Sequence, residues 1–142
     1  MSLKKILIAG VAAAIFNIII GMLTCGGVFN WVYQVEPTNV WKPVTEETFG
    51  LGYLLGELFL NIIFVYVYAL FYRGIPGFNK YVKGLVYGLA VWGVGTLPGM
   101  FATAGFMTVA NVVVVYWTIW ALVVLPLKGM LVSAIYGESV KD

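Results

Sequence analysis

The sequence contains no histidine. That absence removes imidazole metal sites, His-ligated haem, histidine acid/base catalysis and Ser-His or Cys-His dyads in one step, so neither a metal nor a cofactor is expected. Charge is almost as scarce: Asp, Glu, Lys and Arg make up 10% of the residues against 62% hydrophobic, where soluble domains carry about 25% charge. No Gly-rich phosphate loop follows a strand, and the few basic residues form no patch, so no nucleotide or nucleic acid is expected as a partner. The single cysteine, Cys25, cannot close an intramolecular disulfide. It lies within the first apolar run and reads as a small packing residue. Lys4-Lys5 ahead of that run could mimic a signal peptide, but the run continues past Leu23-Thr24-Cys25, a poor match to a processing site.

What remains is apolar sequence, with a mean hydropathy of +0.98. A helix needs about 20 apolar residues to cross a hydrocarbon core of about 30 Å. Four stretches meet that length, with helices expected over about 6–33, 46–72, 84–106 and 108–136. The expected fold is all-α: one integral membrane domain over 1–142, a polytopic, antiparallel bundle of four transmembrane helices in contact with the lipid bilayer. Placing the N-terminus inside puts Lys4, Lys5, Arg73, Lys80, Lys83, Lys128 and Lys141 on the cytoplasmic side and only Lys42 outside. Lys and Arg in short loops set orientation, so both termini are expected in the cytoplasm, with the protein in the inner (plasma) membrane. Lys128 is expected to snorkel to the cytoplasmic interface.

Gly10, Ala14, Asn17, Gly21 and Cys25 line one face of the first stretch at three- and four-residue steps, the spacing that lets helix backbones approach in a membrane. Gly84 and Gly88, then Gly95 and Gly99, form two such pairs in the third. Trp31, Tyr33 and Trp41 mark one interface, and Tyr66, Tyr68, Phe71 and Tyr72 the other. Thr45 is a plausible helix N-cap, with Glu46 and Glu47 in the first turn against the dipole. Pro126 is expected to kink the last helix so that 129–136 lies partly along the interface.

Against this background Glu57 stands out as the only acid well inside an apolar stretch. A charged side chain at mid-helix costs about 2.5–3.5 kcal/mol even on lenient insertion scales, so it needs a reason. Tyr53, Glu57 and Asn61 follow at i, i+4, i+8 and therefore share a helix face that turns inward. Pro98 lies at a similar depth and leaves the carbonyl of Val94 without its usual donor. A protonated Glu57 is expected to donate to that carbonyl or to Thr96, with Asn17 completing the polar interior; outward snorkelling is the alternative. Trp92, Trp117 and Trp120 sit deeper than an interfacial belt and read as pocket aromatics or as packing.

Glycine-containing Gly21 through Phe29-Asn30-Trp31-Val32-Tyr33 to Trp41, then Lys83-Gly84-Leu85-Val86-Tyr87-Gly88 to Trp92 and Pro98, and finally Lys128-Gly129-Met130 to Gly137 follow one another along most of the chain. This order resembles a widespread family of small four-helix bacterial membrane proteins of unknown function, which implies the four-helix fold and no activity. Small multidrug transporters also have four helices and one intramembrane glutamate, but theirs lies in the first helix and this one in the second. The residues point to a non-enzymatic protein that binds an apolar small molecule, a lipid or a partner membrane protein, with a small proton-coupled transporter using Glu57, possible as a homo-oligomer, as the alternative. An enzyme is least favoured, because Cys25 and Glu57 have no paired catalytic group nearby in sequence.

Overall fold

A computed structural model describes residues 2–43 and 45–137. Lys141 and the side chains of Glu46 and Glu47 lie outside the described residues. Among the described residues six α-helices follow in order: α1 (Leu3–Leu23), α2 (Glu46–Phe49), α3 (Leu51–Phe71), α4 (Lys80–Val91), α5 (Leu97–Phe106) and α6 (Asn111–Tyr136). A π turn over Thr24–Val28 extends α1, and another over Trp92–Thr96 joins α4 to α5. Four helical stretches among the described residues are therefore long and apolar enough to cross a membrane: Leu3–Val28, Leu51–Phe71, Lys80–Phe106 and Asn111–Tyr136.

The boundaries differ from the sequence expectation where local chemistry intervenes. The regular part of α1 stops at Leu23 because Thr24 turns its hydroxyl back on the carbonyl of Ile20 (2.6 Å) and Gly26-Gly27 follow. Gly50, in extended conformation, separates the short α2 from α3. Thr45 stands at the N-cap of α2, but its hydroxyl meets that of Thr48 (3.2 Å) rather than capping a backbone N–H. The third stretch begins at Lys80 because Asn79 caps it, its side chain accepting from the Val82 N–H at 2.9 Å. Pro98 falls in the first turn of α5, where its missing N–H costs nothing, so the π turn ahead of it resolves the conflict that a proline brings to a continuous helix. Pro126, by contrast, is buried inside an α6 that runs on to Tyr136, so the interfacial segment expected after it does not form. Residues Gly129, Val132 and Ser133 are buried instead.

The four long stretches pack in the order α3, α1, α6, α4, with α5 continuing along α6. The α4–α6 seam is the most extensive contact and the closest. A methyl group on Gly84 would run into the carbonyl of Gly129, and one on Gly88 into the carbonyl of Leu125. The small-residue pair read from the sequence is thus the seam itself. Gly10 takes the same role in α1 against Ile62 of α3, between buried Ala9 and Ala13. The first turn of α1 and the end of α6 meet at one end of the bundle, where Gly137, at a positive φ of 69°, lies beside the Lys5 ammonium. That end is filled by Tyr68, Tyr72, Tyr87 and Tyr136, whose ring centroids stand 5.2 to 6.2 Å apart in edge and tilted contacts.

Between α3 and α4 the packing is uneven. The two helices meet near the tyrosine end, where the Tyr87 hydroxyl donates to the carbonyl of Phe64 (2.7 Å) and the rings of Phe64 and Tyr87 stand 4.8 Å apart. Towards the opposite end α3 runs along α1 and α5 along α6, and a cleft opens between them.

Candidate functional site

The cleft has a volume of about 390 Å³. One wall is the face of α3 that carries Glu57, Leu60, Asn61 and Phe64; the other is the α4–α5 stretch with Val91, Gly95, Thr96, Gly99 and Met100. Asn17 of α1 and Lys128 of α6 reach it from behind. Gly95 and Gly99 keep the second wall low: a methyl group added at either would have nothing within 4 Å. These glycines, read from the sequence as a helix-packing pair, line an opening instead.

The polar floor is a hydrogen-bonded chain across three helices. Asn17 donates through Nδ2 to Oε2 of Glu57 (2.9 Å). Asn61, only 2% exposed, donates through its own Nδ2 to the backbone carbonyl of Glu57 (2.8 Å) and to Oε2 (3.3 Å). A carbonyl can only accept, so the amide nitrogen of Asn61 must face α3 and its oxygen must face away. That oxygen accepts from Nζ of Lys128 at 3.1 Å. Lys128 is 7% exposed, and its ammonium also stands 4.6 Å from the centre of the Phe64 ring. One amide therefore links a carboxyl group to an ammonium group, with each end presenting the polarity its neighbour requires.

Several sequence expectations change here. Lys128 does not snorkel to the end of the bundle. Side chains in a helix tilt towards its N-terminus, which for α6 is the end away from the chain termini, and this tilt carries the ammonium inward towards Asn61. Glu57 neither snorkels nor donates to Val94 or Thr96; its described hydrogen bonds are those it accepts from the two asparagines. Thr96 lines the opposite wall. Tyr53 shares the helical spacing but not the cleft: it is 37% exposed and meets the Phe49 ring edge-on, with centroids 5.1 Å apart. Glu57, Asn61 and Asn17 are brought together as expected.

The three tryptophans are not cleft residues. Each clasps a helix pair through its indole N–H: Trp92 to the carbonyl of Thr118 (2.9 Å), Trp117 to the hydroxyl of Tyr33 (2.9 Å), and Trp120 to the hydroxyl of Thr24 (2.8 Å). Around them Phe29, Tyr33, Trp41 and Tyr116 form an aromatic cap at the end opposite the termini. Burial pushes the Tyr33 phenol above its ordinary range, an effect that neighbouring Cys25 reinforces. Cys25 itself lies 3.4 Å from the Tyr116 hydroxyl within this cap.

Among the cleft residues that escaped the sequence reading, Phe64 and Lys128 bear on its polar floor. Phe64 was visible in principle, three residues beyond Asn61 on the same face. Lys128 carried a weaker signal: apolar sequence continues for another helical turn and more after it, so it does not end its apolar run. Comparison of the chain with protein-family models, with curated proteins and with solved structures finds no match.

Proposed function

We propose that this chain is a four-span protein of the inner (plasma) membrane, both termini cytoplasmic, that binds an amphipathic ligand drawn from the bilayer and performs no chemistry on it. The observation that supports this reading is the cleft: a slot with apolar and glycine walls whose floor is the Glu57–Asn61–Lys128 bridge. Binding sites are typically concave and apolar with a few placed polar groups, and this one has that composition. Lateral access is part of this reading, supported by walls that are the edges of two helices that do not close on each other, with Leu60 61% exposed at the rim. The orientation rests on Lys4, Lys5, Arg73, Lys80, Lys83 and Lys141 against Lys42, Lys128 being withdrawn from that comparison by its burial.

Native mass spectrometry of the protein released from mild detergent tests the reading directly. A bound lipid or small molecule that is lost when Gly99→Leu fills the cleft is the expected result. An assembly of bare protein subunits would set it aside in favour of the second reading, proton-coupled transport. That alternative draws on the continuous chain from Asn17 through Glu57 and Asn61 to Lys128, and it requires substrate-dependent proton movement that Glu57→Gln abolishes.

A further inference from the structure

We propose that the cleft's ligand is a net-neutral amphiphile whose polar end carries a hydroxyl group, the chemistry of a long-chain alcohol or an acylglycerol, rather than a fatty acid, an alkylamine or a zwitterionic lipid. This rests on the binding reading above and names its ligand class.

The first argument is charge balance. Glu57 and Lys128 are the two ionisable side chains lining the cleft. Asn61 holds them as a bridged pair of opposite sign, its orientation fixed by the Glu57 backbone carbonyl. Any ligand with a net charge would add a third charge without a counter-charge in an apolar slot, which is strongly unfavourable.

The second argument is hydrogen-bonding capacity. An ammonium carries three donors; among the described residues one acceptor, the Asn61 Oδ1, meets that of Lys128, which is otherwise buried at the cleft floor. The ammonium therefore wants an acceptor from the ligand. The Glu57 carboxylate can only accept, so it wants a donor. A hydroxyl is the smallest group that donates and accepts at once, and it carries no charge. A zwitterionic head also sums to zero, but it would have to place two separated ions and their hydration within about 390 Å³ that the chain must share. The third argument is the walls: Leu60, Phe64, Val91 and Met100 beside side-chain-free Gly95 and Gly99 suit an acyl chain lying across the opening.

The test uses the whole protein in lipid nanodiscs and four photoactivatable probes of one chain length, ending in a hydroxyl, a carboxylate, an amine or an ammonium–phosphate zwitterion. Crosslinks are mapped to residues by mass spectrometry. The hydroxyl probe is expected to label cleft residues at least about 10-fold more than the others, a difference worth one decade of affinity. Glu57→Gln leaves one positive charge and should move the preference to the carboxylate probe. Lys128→Met leaves one negative charge and should move it to the amine. The double variant, neutral again, should return to the hydroxyl. A wild-type preference for a charged or zwitterionic probe overturns the inference by itself, even if a single variant does not fold, and so does a preference that neither substitution moves. Absence of cleft labelling by all four probes removes the binding reading along with it.

Discussion

Asn61 donates to Glu57 and accepts from Lys128, so a single neutral side chain organises the polarity of the interior. Asn61→Leu is expected to lower stability by about 3 kcal/mol, because it strips a partner from a buried ammonium rather than merely losing one hydrogen bond; thermal unfolding in detergent measures it. Glu57→Gln and Lys128→Met should be non-additive, with a coupling of about 1 to 3 kcal/mol in a double-mutant cycle, since both act through the same amide. Tyr68 offers the opposite sign. Its hydroxyl is the one buried polar side-chain atom among the described residues without a hydrogen-bond partner, and Tyr68→Phe should be neutral or stabilising by up to about 1 kcal/mol in the same assay. At this scale Glu57, Asn61 and Asn17 were legible, because a carboxyl or amide inside an apolar helix is conspicuous and its face follows from a spacing of four. Lys128 was not legible, since position along a helix does not say where a flexible side chain ends.

The α4–α6 seam and the α4–α5 break show how glycine spacing means different things in one stretch. Gly84 and Gly88 allow backbone contact with Gly129 and Leu125, whereas Gly95 and Gly99 face open space. Gly129→Ala is therefore expected to cost several kcal/mol through overpacking against the Gly84 carbonyl, while Gly56→Ala on α3, where an added methyl meets nothing within 4 Å, should stay within about 1 kcal/mol of wild type. Unfolding of the two variants side by side decides it. The pattern of small residues every four positions was readable in both pairs. Which pair has a partner depends on where α6 lies, and no local pattern contains that. The interfacial segment expected after Pro126 failed for a related reason: the last turns of α6 are buried around Gly129, Val132 and Ser133.

The whole molecule is a bundle closed at its tyrosine end and parted between α3 and α5. Filling that gap with Gly99→Leu should abolish ligand retention in native mass spectrometry while leaving the melting temperature nearly unchanged, because the side chain enters unoccupied space. That four helical stretches are long and apolar enough to cross a membrane followed from sequence alone, since length and hydropathy are properties of contiguous residues that need no partner. The order α3, α1, α6, α4, the capture of Lys128 by Asn61 and the cleft itself were decided by the tertiary structure. Each depends on contacts between residues far apart in the chain, such as Asn61 with Lys128 or Gly84 with Gly129, and the energy of a contact exists only once packing has brought its two sides together.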